Sequence, residues 1–180
     1  MSSELRVDKI VPVDGVPTGG GGGIVQVLQI EHASSVKYTS GSYTSGVLNN
    51  EGNATGNYSI SITPKFNTSK ILVSFNCHYD LNIANQRAYI TIYRSIGGGT
   101  PADIAPGRGL VEIWNPDSRT QASCMAQYLD SPSTTSAVTY TLQHTSHGSD
   151  TFHMNRTVNT DNHDSQEDGI SWLTLKEVGA

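Results

Sequence analysis

Charge is scarce in this chain. Asp, Glu, Lys and Arg make up 15% of its 180 residues, and the balance is acidic, at -5. With 11 Lys and Arg against 16 Asp and Glu, it lacks the basic face that contact with phosphate requires, so no nucleic-acid partner is expected. No stretch approaches the roughly 20 apolar residues that span a bilayer. No basic start followed by an apolar run marks a secretory signal. The expectation is a soluble protein made in the cytosol, with no membrane insertion. Cysteine is almost missing: there are only Cys77 and Cys124. Each lies in an alternating pattern and reads as a small buried hydrophobe. A disulfide would need facing strands and an oxidising compartment, and nothing here supports a disulfide framework. A helical bundle would need more Ala, Leu, Glu and Lys than this chain has. Ser, Thr, Asn and Gly are plentiful instead, as in an all-β protein with polar loops.

What is present divides in two. Residues 1–23 form a short leader that ends in a run of five glycines, Gly19, Gly20, Gly21, Gly22 and Gly23. A peptide of that length buries no core of its own. Glycines have the most backbone entropy to lose, so the run reads as a hinge. The leader carries a little alternation, two prolines (Pro12 and Pro17) and a turn signal at Asp14-Gly15. Its apolar residues Leu5, Val7, Ile10, Val11, Val13 and Val16 are the candidate anchoring positions of an extended arm that docks on a larger partner.

Residues 24–180 read as one β domain. The strand at Ile24–Ile30 opens it, and Tyr58–Thr63 alternates up to Pro64. The clearest strand starts at Ile71, where Ile71, Val73, Phe75, Cys77, Tyr79 and Leu81 share one face. A slip of one residue would turn that whole set to water, so the register is firmly specified. Further strands are predicted at Ala88–Arg94, Leu110–Trp114, Gln121–Leu129, Ala137–His144, Phe152–Arg156 and Ile170–Val178. Residues 38–57 read as a long loop or a loosely paired strand, and Gly97–Gly99 as a hairpin tip. Eight to ten short strands with no helix predict an antiparallel two-sheet jelly-roll sandwich.

Chemical motifs are sparse. His144 and His147 are three apart, but a strand end running into a turn would diverge their rings, and zinc needs three or four convergent ligands. No metal is expected, and no cofactor. No Ser stands in a Gly-x-Ser-x-Gly elbow. The carboxylates Asp161, Asp164, Glu167 and Asp168 cluster in a polar loop and read as a solvated charge run. The glycine run precedes no Lys-Ser pair and no helix, so it is no phosphate loop. The expectation is a protein that is not an enzyme. Amphipathic aromatics are more numerous than a small core needs: Tyr38, Tyr43, Tyr79, Tyr89, Tyr93, Tyr128, Trp114 and Trp172 are candidate interface material.

The opening Ser-Glu-Leu-Arg-Val-Asp-Lys-Ile-Val-Pro, followed by Gly-Val-Pro-Thr and a glycine run into Ile-Val-Gln-Val, resembles the N-terminal segment of small virion proteins of marine tailed bacteriophages. The body resembles the knob-like C-terminal domains of phage fibre proteins. The stretches that carry this are Ser69–Phe75, Ile90–Arg94, Tyr140–Gln143, Met154–Arg156 and Ser171–Val178. Those domains are similar to the trimeric jelly rolls of the tumour-necrosis-factor and complement-C1q type. The shaft of a long fibre is missing, since there is no repeat and no heptad between arm and knob. The resemblance implies a virion protein assembled in the host cytoplasm. It implies a homotrimer attached to a larger tail or capsid component, with a host surface glycan as a further partner. Arg108, His144 and His147 are then the candidate receptor-facing residues. A capsid decoration (cement) protein and a stand-alone carbohydrate-binding lectin are the alternatives.

Overall fold

The computed structural model describes residues 23–32, 36–39, 45–47, 58–81, 84–105, 109–117, 121–146, 151–155 and 169–179. They form twelve strands: β1 (Ile24–His32), β2 (Val36–Thr39), β3 (Ser45–Val47), β4 (Ser59–Ile62), β5 (Lys70–Leu81), β6 (Gln86–Ile96), β7 (Ala102–Asp103), β8 (Val111–Asn115), β9 (Ala122–Asp130), β10 (Val138–Ser146), β11 (Thr151–Met154) and β12 (Ser171–Val178). No helix occurs among the described residues.

Twelve strands exceed the eight to ten expected because several sheet positions hold two short strands end to end. Beside β5 lie β12 (opposite residues 70–76) and β11 (opposite 79–81). Their outer neighbours are β1 and β2. In the second sheet β4 and β3 share one side of β10, while β8 and β7 share the far side of β6. Counted by position, the first sheet runs β1-β12-β5-β9 and the second runs β4-β10-β6-β8, all antiparallel. Sequence neighbours repeatedly fall in opposite sheets. That is the double Greek key of a jelly roll.

The core lies between the sheets and follows from period-two alternation. The odd residues of β5 from Ile71 to Leu81 all point inward and are buried, as the sequence pattern requires. From the second sheet Ile90, Ile92, Val138, Tyr140 and Leu142 meet them. The expected hairpin tip is present. Gly97 and Gly98 have φ of +58° and +76°, and the Gly99 N–H donates to Ile96 O at 3.0 Å. Two successive positive φ values suit glycine and match the twist of the strands they join.

Polar groups pin the layers together. Asp130 of β9 accepts both oxygens' worth of contact from Arg94 Nη1 of β6 (2.7 and 2.9 Å), and Tyr140 Oη of β10 donates to it at 2.7 Å. Glu177 of β12 is fully buried and accepts from Gln26 Nε2 at 2.5 Å and from the Lys65 N–H at 2.7 Å. The Gly179 N–H donates to Gly23 O at 2.9 Å, so the two ends of the described body lie side by side.

Candidate assembly face

The outward faces of the two sheets differ in chemistry, and strand register shows how. On the first sheet one row reads Val27, Lys176, Leu72, Leu129, and another reads Glu31, Trp172, Asn76, Met125. Between them runs a polar row of Gln29, Thr174, Ser74 and Gln127, in which Thr174 Oγ1 donates to Gln29 Oε1 at 2.7 Å. Ile24 closes one end beside Val178, and Ile170 leads into β12 at the other. Met125 is 69% exposed, Ile24 61%, Ile170 55%, Val27 52% and Leu129 49%. Large apolar side chains scattered singly over a surface are ordinary. Several on one sheet face, beside the half-buried Leu72 and Trp172, mark a surface that gains by being covered.

The second sheet's outward face is hydroxylic. Ser59 Oγ and Thr141 Oγ1 are hydrogen-bonded at 2.8 Å, Ser61 Oγ and Thr139 Oγ1 at 2.7 Å. Thr91 Oγ1 donates to Asp103 at 2.7 Å. At the β8 side Arg87 pairs with Glu112 at 2.9 Å and lies 5.4 Å over the Trp114 ring. Cross-strand hydroxyl and charge pairs make this face polar, although Thr91 and Gln143 at its centre are buried.

Met125, Leu129, Val27, Ile24 and Ile170 were not singled out in the sequence. Their signal was apolar residues on the nominally polar side of alternating strands: Leu72 in β5, Met125 and Leu129 in β9, Trp172 in β12. The aromatics proposed as interface material divide differently. Tyr79 and Tyr89 are buried within the fold, Trp114 is half exposed on the second sheet, and Trp172 is half-buried on the first.

His144 is not a receptor-facing loop residue. β10 continues past it to Ser146, and His144 takes the inward position after Val138, Tyr140 and Leu142. It is 2% exposed and stacks on Phe152, with ring centroids 5.3 Å apart. Arg108 and His147 lie outside the described residues, as do Leu5, Val7, Ile10, Val11, Val13, Val16 and Gly19 to Gly22. Gly23 is exposed at the start of the body. Among the described residues no three His, Cys, Asp or Glu side chains converge on a metal-sized site. No helix among them is long and apolar enough to cross a membrane.

The cysteines sit on facing strands. Cys77 of β5 and Cys124 of β9 are directly opposed, both as free thiols, Cys77 buried and Cys124 half-buried. The interaction between the two opposed thiols is the main cause that lowers the Cys124 pKa and, together with burial, raises that of Cys77.

No family model and no curated protein matches this chain. Among solved structures, one of the infectious bursal disease virus Gx strain is similar over 85% of this chain and 40% of its own, at 11% identity and a TM-score of 0.47. One of the Gt strain covers 97% of this chain and 44% of its own, at 11% identity and a TM-score of 0.45. The VP2 subviral particle of the same virus covers 85% and 38%, at 12% identity and a TM-score of 0.40. The chain spans less than half the length of these proteins. Likeness at this level adds nothing to the jelly roll already read from strand order.

Proposed function

We propose that the chain is a non-enzymatic virion structural protein: a homotrimeric knob that attaches to a larger tail or capsid component through residues 1–23. The observation that carries this reading is the inequality of the two outward faces. The first sheet presents Ile24, Val27, Met125, Leu129 and Ile170, while the second presents paired hydroxyls and ions with Ile96 and Trp114 as its exposed large apolar side chains. A second copy of the chain is the partner that best fits the apolar face, since cyclic symmetry lets one patch serve every interface. The number three comes from the resemblance to trimeric jelly-roll knobs.

The arm is the second part of the proposal. It leaves the body at Gly23, beside the start of an edge strand, and its alternating apolar residues suit addition of a strand to a sheet of the larger partner. The glycine run then absorbs mismatch between anchor and knob. With His144 in the core, the half-exposed Trp114 beside Arg87 is the described residue best suited to stack against a host glycan.

Deletion of residues 1–23 tests the anchoring. The truncated protein is expected to fold and to be missing from purified particles. Incorporation at the level of the full chain would end the anchoring reading.

A further inference from the structure

We propose that Cys77 and Cys124 form a redox-active dithiol, a modification site at which a low-molecular-weight disulfide closes a cross-strand disulfide between β5 and β9. The inference stands on the geometry of one strand pair and does not depend on the assembly reading.

The backbone places the two residues in a defined relation. The His78 N–H donates to Ser171 Oγ at 3.0 Å, and the His78 carbonyl accepts from the Asn155 N–H at 2.9 Å. Both His78 groups therefore point away from β9. Alternation turns the N–H and C=O of Cys77 toward β9, so Cys77 and Cys124 are a hydrogen-bonded pair of the ladder, with Cα atoms about 5.5 Å apart. That separation lies within the span of a disulfide. The β-carbons of directly opposed residues start about 1 Å farther apart than a disulfide holds them, so closure needs a small inward movement. β9 is suited to make it, because among the described strands it is hydrogen-bonded to β5 alone. A disulfide closed against that resistance is strained, which makes it readily reducible and hence reversible.

The two thiols differ in role. Cys124 is half-buried on β9, which pairs with β5 alone among the described strands, and is the more acidic, so it supplies the attacking thiolate. Cys77 is fully buried behind it and resolves. In the first step Cys124 Sγ attacks one sulfur of the small disulfide; that S–S bond breaks and one small thiol leaves. In the second, Cys77 gives up its proton and attacks Cys124 Sγ; the mixed disulfide breaks and the second small thiol leaves. Two protein thiols are oxidised to one disulfide, and one small disulfide is reduced to two thiols that carry both protons.

The test is incubation of the full-length protein with excess oxidised glutathione under native conditions, followed by acid quench, alkylation and intact-mass and peptide analysis. The expected product is lighter by two hydrogen atoms, contains a Cys77–Cys124 linked peptide, and regains both thiols in reduced glutathione. In Cys77→Ser the glutathione stays on Cys124 as a stable mixed disulfide. In Cys124→Ser, Cys77 remains a free thiol over the time that converts the wild type. Two alkylatable thiols in the treated wild type, glutathione retained on it, or a disulfide between chains would each overturn the proposal.

Discussion

Tyr140, Asp130 and Arg94 show how single residues hold the two sheets in register. The carboxylate comes from the first sheet and the phenol and guanidinium from the second, so each contact crosses the sandwich. A hydrogen bond to a charged acceptor contributes about 1.5–3 kcal/mol, so Tyr140→Phe is expected to lower unfolding free energy by about that amount in urea titration at neutral pH. The same phenol gives a pH signature. Burial first, and then the bond to Asp130, raises the Tyr140 pKa well above the ordinary phenol value, and burial pushes Tyr79 up to about 12. In the unfolded chain both ionise near pH 10. Above that point the unfolded state binds fewer protons than the folded one, so stability falls as pH rises. The contribution is complete below about pH 10 and is lost as pH climbs through the folded values. The urea midpoint should drop between pH 9 and pH 11, less steeply in Tyr140→Phe. Equal midpoints at the two pH values would contradict the burial of these rings.

Among the elements, β5 was legible in sequence because its alternation runs unbroken from Ile71 to Leu81, and β9 and β12 were nearly so. The short strands were not. β3 and β7 hold three and two residues, too few for a period to register, and they form because the long strands beside them leave ladder groups to be satisfied. His144 departs from the sequence expectation for a related reason: the polar residues Gln143 to Ser146 look like a strand end, yet pairing with β6 as far as Ala88 carries β10 through them. The entry of β12 depends on a contact no local pattern announces. A β-carbon at Gly169 would overlap the His78 ring, which is held by Ser123 Oγ at 3.0 Å and Gln121 Nε2 at 2.9 Å. Gly169→Ala is therefore expected to destabilise by about 1–3 kcal/mol. Adding His78→Ala should recover part of that loss, a coupling that a double-mutant cycle in urea would measure. Additive costs would place the clash elsewhere.

For the whole molecule, the described sandwich encloses a core, yet leaves Ile24, Val27, Met125, Leu129 and Ile170 exposed along one sheet whose face also carries polar residues. That face was legible only as scattered exceptions to the polar side of each strand, since nothing local aligns Leu72 with Leu129, or Asn76 between Trp172 and Met125, until the register is known. The rings chosen from sequence as interface material partly went inward because a jelly roll of this width needs large side chains such as Tyr58, Tyr140 and Phe75 to fill it. Coverage of the first sheet by copies of the chain is the premise on which the knob proposal stands.

Sedimentation equilibrium of the full-length protein at micromolar concentration tests that premise most directly. A threefold knob has a mass three times the chain's 19.3 kDa, and replacing Met125 and Leu129 together by Lys returns it to a single chain with an unchanged β circular-dichroism spectrum. A wild-type species of 19.3 kDa throughout that concentration range would contradict it.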